Sequence, residues 1–289
     1  MIRRILFIQI VSLGLLPSLR AAEKWTLDSG VREKCLGILR EEIQSDDFWP
    51  AMHAAEALTL AGLGSEVIDR LGPKLDTEKD DQRRCGLARE LVRAGDRSKS
   101  SVMMEILRGD DPHGHVHAAE SLYKVGWDGS PEPLQEAFGE TENVLLKIMA
   151  AAALAKFVEG DRGENALSFL RDHLATESDP GIFRISAWVL GRIGTDRDRG
   201  LIRSRLDDTD DPLVRAFLEH ALAALGDSDG KAALRRNLKS DDSALRTYAA
   251  VFAGETGMTE TAPDLIPLLD DENLDVRIRA AQALLTLAP

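Results

Sequence analysis

The sequence predicts an all-α protein built from short helical hairpins that repeat along the chain. Seven glycines recur at intervals of 31 to 34 residues, and each ends a stretch rich in Ala and Leu. The glycines are Gly62, Gly95, Gly126, Gly160, Gly194, Gly226 and Gly257. A turn rich in Asp precedes each stretch, and a shorter apolar stretch follows each glycine. A fixed period of this length is typical of a solenoid, and no alternating run long enough to predict a strand occurs.

The N-terminal segment Met1–Ala22 has the layout of a signal peptide. Arg3 and Arg4 precede an apolar run from Ile5 to Leu16, and small residues follow at Ala21 and Ala22. The run is shorter than the roughly 20 residues of a membrane span. We therefore predict an exported protein, periplasmic or secreted, with an uncleaved membrane anchor as the alternative.

Composition restricts the class of partner. The chain has 36 basic and 49 acidic side chains and a net charge of −13, which becomes −16 when a cleaved leader removes Arg3, Arg4 and Arg20. An acidic surface opposes nucleic acid and anionic lipid. The expected partner is a protein, and the expected state is a monomer. Cys35 and Cys85 are expected to be small buried thiols, with a disulfide as the alternative.

Each repeat is predicted to hold two helices, A and B. Asp-Pro pairs such as Asp179-Pro180 and Asp211-Pro212 open helix A, because Asp accepts unpaired N–H groups and Pro has none to satisfy. A pair of small residues and then Leu follow in helix A, and glycine ends it. Helix B is indicated by apolar pairs four residues apart, such as Leu170 and Leu174.

These patterns divide the chain after the leader into three parts. Residues 23–45 form an N-terminal capping helix, and residues 46–289 form the repeat array. Units begin near residues 46, 80, 111, 142, 179, 211 and 242, and a half-unit covers 273–289. The half-unit is expected to be a lone final helix that leaves Leu284, Leu285 and Leu287 exposed, which would permit end-to-end contact with other molecules.

The later units resemble a known repeat family. The segments "DPGIFRISAWVLGRIG", "DPLVRAFLEHALAALG" and "NLDVRIRAAQALLTLA" are similar to the short bacterial HEAT-like repeat, the type also found in phycobilin lyases. The resemblance implies a right-handed α-solenoid of about seven two-helix units. In that family an arginine of helix A pairs with an aspartate of the adjacent turn. Here it implies structural pairs among Arg184, Arg215, Arg246 and Arg277 and the aspartates Asp179, Asp211 and Asp242.

A second set of arginines recurs in helix B. Arg171, Arg203 and Arg235 are spaced by 32 residues, with His173 and Arg205 two positions after the first two. Because helix B lines the concave face of HEAT-like arrays, we predict a stripe there that grips an acidic partner through planar guanidinium contacts. The alternative is a solvated row paired with local aspartates.

The sequence gives little support for a reaction or a metal. His113, His115 and His117 would scatter around a helix. His53-Ala-Ala-Glu56 and His117-Ala-Ala-Glu120 are similar to helices of deoxyhypusine hydroxylases, HEAT-like enzymes that hold two irons. However, this chain lacks the adjacent His-Glu pairs of that family. We predict no cofactor and no metal.

The sequence-based expectation for function is an exported interaction scaffold without catalysis. A lyase- or hydroxylase-like enzyme with a site between repeats, and a structural component of an envelope assembly, are the alternatives.

Overall fold

The computed structural model describes residues 25–288, so the predicted leader Met1–Ala22 lies outside the described residues. The described chain is all-helical and contains no strand. Its α-helices are α1 (Ser29–Glu42), α2 (Phe48–Leu60), α3 (Gly64–Thr77), α4 (Asp81–Arg93), α5 (Ser100–Arg108), α6 (His115–Val125), α7 (Glu132–Glu140), α8 (Val144–Phe157), α9 (Asp161–Thr176), α10 (Pro180–Ile193), α11 (Arg199–Asp207), α12 (Pro212–Ala224), α13 (Ser228–Asn237), α14 (Ser243–Glu255), α15 (Ala262–Leu265) and α16 (Leu274–Leu287). A 3-10 segment, Ile266–Asp270, continues α15. The predicted all-α fold of paired helices is confirmed.

The even-numbered helices α2 to α16 are the A helices, and the odd-numbered helices from α3 onward are their B partners. Polar caps set where the A helices begin. Asp179 accepts hydrogen bonds from the amides of Gly181 and Ile182, and Asp211 does the same for Leu213 and Val214. Such caps satisfy amides that have no partner inside the helix. They fix the turn from each B helix into the next A helix.

Glycine ends most A helices for the predicted reason. Gly62, Gly95, Gly126, Gly160, Gly226 and Gly257 all have positive φ, which L side chains rarely adopt. Gly194 differs, because its φ is −72°. A Cβ atom there would lie 2.5 Å from the carbonyl oxygen of Leu190, so this glycine is needed for close approach instead.

Each A helix packs against the next one along the chain, and the last A helix packs against the first. Each A helix contacts the next, from α2 through α4, α6, α8, α10, α12 and α14 to α16, and α16 then packs against α2. Small residues permit the close approach: a Cβ added at Gly254 would lie 2.9 Å from the Cα of Ala283 on α16. The array is therefore a closed ring of eight A helices.

This closure corrects the predicted lone final helix. Leu284, Leu285 and Leu287 are buried, not exposed, because α16 packs against α14, α2 and α1. Helix α1 occupies the position of a B helix for α16, so the eighth hairpin is assembled from the two ends of the described chain. Predicted end-to-end contact through an exposed final helix is wrong for this reason.

Polar contacts join the two ends as well. Arg32 donates to the carbonyl oxygen of Ala288 at 3.2 Å, and Lys34 pairs with Asp270 at 2.5 Å.

Cys35 and Cys85 are buried free thiols, as the sequence suggested. No helix between residues 25 and 288 is long and apolar enough to cross a membrane.

Candidate functional site

Side chains of the A helices fill the centre of the ring. Several of them reach a helix that is not their neighbour in the ring. The ring of Tyr123 on α6 lies 5.3 Å from that of Trp188 on α10. Arg192 on α10 pairs with Glu255 on α14 at 2.7 Å. Such contacts skip the intervening A helix, so the A helices form the inner layer and the B helices the outer layer.

The central side chains include a network of charges. Glu56 on α2 accepts from Arg279 on α16 at 2.8 Å and pairs with Arg93 on α4 at 3.1 Å. The fully buried Glu90 pairs with Arg93 and with Arg89, the latter at 2.6 Å. We call Glu56, Arg89, Glu90, Arg93 and Arg279, with the pair Glu120 and Lys124 at 2.7 Å, the central network.

Electrostatics within this network favour ionised carboxylates. Burial alone would raise the pKa of Glu56, but Arg93 and Arg279 outweigh it and hold that pKa well below its usual range. Burial likewise opposes ionisation of Glu120, yet Lys124 and Arg89 lower its pKa to about 2. The desolvation of so many charges is costly, and apolar residues would fill the same space at least as stably. Ring stability alone therefore does not account for the network.

A cluster of aromatic rings and cations adjoins the central network. Arg192 lies over the rings of Trp188 and Phe252, at 4.2 and 4.4 Å from their centroids. Lys156 lies 4.9 Å from the centroid of Tyr123. The Tyr123 hydroxyl is buried and has no hydrogen-bond partner among the described residues. A polar atom left unpaired in this way is unusual in a folded protein.

The predicted arginine stripe lies elsewhere than expected. Because the A helices form the inner layer, Arg171, Arg203 and Arg235 lie on the outer B helices and not on a concave face. Each is bound to a carboxylate of the next unit: Arg171 to Asp198 at 2.6 Å, Arg203 to Asp227, and Arg235 to Asp264 at 3.1 Å. The alternative of a row paired with local aspartates describes these contacts.

The two residues beside the stripe are also engaged within the fold. His173 Nε2 lies 3.2 Å from Glu177 Oε2 without the geometry of a hydrogen bond. Arg205 donates to the carbonyl oxygen of Glu177 at 2.6 Å and lies over the ring of Phe183. The four predicted arginines therefore serve contacts between units, and His173 contacts the end of its own helix.

The structural arginines of helix A bind mainly backbone carbonyls, which corrects the implied pairing with Asp179, Asp211 and Asp242. Arg215 donates to the carbonyls of Leu206 and Thr209, both at 2.8 Å. Arg277 does the same for Asp271 and Glu272. Arg246 pairs with the carboxylate of Asp271 at 2.8 Å, and Arg184 lies over the ring of Phe217. The three aspartates cap helices instead.

The histidines are dispersed. His53 contacts Asp275 at 3.0 Å, His113 contacts Asp80 at 2.9 Å, and His115 contacts the carbonyl oxygen of Gly109. Within residues 25–288, no three His, Cys, Asp or Glu side chains form a group that could hold a metal ion.

One face of the ring concentrates negative charge. It consists of the turns that lead from B helices into A helices, which we call the acidic face. Its carboxylates are Asp46, Asp47, Glu78, Asp80, Asp110, Asp111, Glu142, Glu177, Asp179, Asp208, Asp210, Asp211, Asp241, Asp242, Asp271 and Glu272. The lysines of these turns are Lys79 and Lys239. Trp49, the second residue of α2, and Tyr248, in the middle of α14, are large exposed aromatic residues.

Sequence reasoning missed the central network, although a signal for it exists. Glu56, Arg89 and Glu120 each stand six residues before a turn glycine. Arg93, Lys124, Arg192 and Glu255 each stand two residues before one. Charged residues at a constant register within Ala- and Leu-rich helices indicate a shared polar face. Ring closure directs that polar face inward, and the repeat pattern alone does not predict that the ring closes.

A comparison with protein families agrees with the repeated pairs of helices. A family model described as HEAT repeats matches residues 132–223 and 202–285, together just over half of the chain. The protein belongs to the HEAT-repeat family.

Among solved structures, a human deoxyhypusine hydroxylase in complex with glycerol is similar at 18% identity and a TM-score of 0.42. The match covers 89% of this chain and 97% of the human chain. No curated protein matches the sequence significantly.

Proposed function

We propose that the protein is a binding scaffold that recruits a protein partner through its acidic face and catalyses no reaction of its own. The observation that carries the proposal is the coincidence of two features on one face. Carboxylates occupy all eight turns, and Trp49 is exposed beside them at the start of α2. Charge complementarity then favours a basic partner, and aromatic residues are the usual anchors of protein interfaces.

Affinity capture from the native extract, with two matched variants, tests the proposal. The first variant replaces Asp46, Asp110, Asp210 and Asp241 by Asn and Glu142 by Gln; all five are exposed and none caps a helix. The second replaces Glu159, Asp161, Glu164, Asp196 and Glu260, exposed on the opposite face, by the corresponding amides. A basic protein retained by the wild type and the second variant, but lost by the first, supports the proposal. Equal retention by both variants contradicts it.

Export is part of the same proposal. It is supported by the basic start, the apolar run and the small residues of Met1–Ala22. N-terminal sequencing of the protein from envelope and medium fractions would reveal a start at Ala22 or Glu23. A start at Met1 in the cytoplasmic fraction contradicts export.

A second candidate, an enzyme with a site inside the ring, is favoured by the central network alone. Buried charged groups of this kind are a common feature of active sites. Metal analysis and an absorbance scan of the purified protein test whether it carries a metal or chromophore.

A further inference from the structure

Three cations lie where the A helices end, on the face opposite the acidic face. Arg93 is the last residue of α4, and Lys156 and Arg192 each lie one residue before the end of α8 and α10. We call these three residues the cationic mouth. The side chains of Arg93 and Arg192 are largely buried, and the exposed Lys156 brings the group to solvent.

One cation of the cationic mouth lacks a paired carboxylate among the described residues. Arg93 is neutralised by Glu56 and Glu90, and Arg192 by Glu255. Lys156 forms no ion pair within residues 25–288, and its ammonium group donates to the carbonyl oxygen of Tyr123 at 3.0 Å. Burial, together with the charges of Arg93 and Arg192, lowers the pKa of Lys156. Like charges held together in this way attract an anion.

Two further groups, the Tyr123 hydroxyl and the Glu255 carboxylate, lie near the cationic mouth. The buried Tyr123 hydroxyl has no hydrogen-bond partner in the described part of the chain, and it lies close enough to Arg192 and Glu255 for their charges to affect its pKa. Glu255 is exposed, and its carboxylate, which pairs with Arg192, also acts on Lys156 and Arg93. An internal carboxylate therefore already holds the position that an external one would take.

We propose that the cationic mouth binds a small molecule through a carboxylate or phosphate group. Arg93, Lys156 and Arg192 supply the charge, and the Tyr123 hydroxyl supplies a further donor. Glu255 is displaced from Arg192 when the ligand enters. Arginine suits both groups because its planar fork matches their oxygens. This site is separate from the acidic face, so its failure would leave the proposed scaffold function untouched.

Calorimetric titration of the full chain tests the site. Succinate and inorganic phosphate serve as separate probes at constant ionic strength, and together they distinguish a carboxylate ligand from a phosphate ligand. We expect saturable binding of at least one probe to one site. Lys156→Gln should weaken that binding by about tenfold, the effect of losing one charge-assisted contact. Glu255→Gln should strengthen it, because an internal competitor is removed.

Lys79→Gln is the matched control, since it removes the same charge from an exposed lysine of the acidic face. It should leave binding unchanged. The proposal fails if neither probe saturates. It also fails if Lys79→Gln weakens binding as much as Lys156→Gln, or if Glu255→Gln does not increase affinity. The opposite signs expected for Lys156→Gln and Glu255→Gln separate a specific site from a general effect on folding.

Discussion

Arg279 on α16 donates a hydrogen bond to Glu56 on α2 at 2.8 Å, although 223 residues separate them in the chain. The pair joins the last A helix to the first. Both side chains are largely buried, and Arg93 contacts the same carboxylate from the next helix. The closure of the ring therefore depends in part on the central network that fills it.

Replacing Arg279 by Met should destabilise the protein by about 2–4 kcal/mol, because it leaves part of a buried charge uncompensated. Urea denaturation measures the effect. Lys34→Met is the control, since Lys34 and Asp270 span the same seam but are exposed, and such pairs contribute at most about 1 kcal/mol. Similar small changes for both variants would show that the pair of Arg279 and Glu56 does not secure the ring.

Leu284→Ala should destabilise the protein by about 2–5 kcal/mol, the usual cost of a cavity in a packed core. Leu284 is fully buried on α16, the helix that closes the ring. Leu60→Ala is the matched control, because Leu60 also lies on an A helix but is 50% exposed. Thermal denaturation of both variants tests the closed ring directly. In an open solenoid with a free α16, the cost at Leu284 would be as small as at Leu60.

Local signals were sufficient to predict the helices from sequence. Asp179 and Asp211 cap the helices that they were expected to cap, and Gly62 and Gly226 have the expected positive φ. These features depend on residues within a few positions of each other, which a repeat pattern displays.

The arrangement of the layers was not predicted, because it depends on distant contacts. Whether helix A or helix B faces inward follows from the closure of α16 on α2, and no single repeat contains that information. Arg203 illustrates the consequence. The spacing of Arg203 suggested a binding stripe. Its guanidinium group instead pairs with the carboxylate of Asp227, which lies in a turn of the following unit.

Stability should fall as the pH drops below 6.5, and His220 is one cause. Burial, with a smaller effect of Arg192, lowers the pKa of His220 to about 3. Asn237 donates to Nε2 at 3.2 Å, while Nδ1 has no partner among residues 25–288. Because the unfolded histidine binds a proton near its ordinary pKa of 6.5, protonation between pH 6.5 and 3 favours unfolding.

His220→Phe should therefore reduce the loss of stability between pH 6.5 and 5.5, above most of the range in which carboxylates titrate. Melting temperatures across this range measure it. His113→Gln is the control, because the hydrogen bond to Asp80 raises the pKa of this exposed histidine. Its contribution has the opposite sign, so the acid-induced loss should remain. If the melting temperature of His220→Phe falls with pH as steeply as that of the wild type, the assignment to His220 is wrong.

Cys35 and Cys85 should resist thiol reagents in the native protein. Burial raises the pKa of Cys35 to about 11 and that of Cys85 to about 12, so almost no thiolate is present at neutral pH. A colorimetric thiol assay should detect neither cysteine in buffer and both in denaturant. Rapid labelling of either in buffer would show that α1 or α4 opens readily.

The two residues of the outer ion pair, Arg203 and Asp227, should contribute unequally to the stability of the protein. Asp227 is buried and also caps α13, because it accepts from the amides of Asp229 and Gly230, both at 3.0 Å. Asp227→Ala should therefore cost about 1–2 kcal/mol, the range for a lost cap. Arg203→Ala should cost less than about 1 kcal/mol, because its side chain is half exposed and the cap persists.

Urea denaturation of the two single variants and the double variant separates these contributions. If Asp227 acts mainly as a cap, the double variant should be nearly as stable as Asp227→Ala alone. Asp227→Asn provides a further check, since asparagine retains the capping oxygen while losing the charge, and it should recover most of the stability. Equal losses for Arg203→Ala and Asp227→Ala would instead assign the stabilisation to the ion pair, and would give the outer arginines a larger structural role than their exposure suggests.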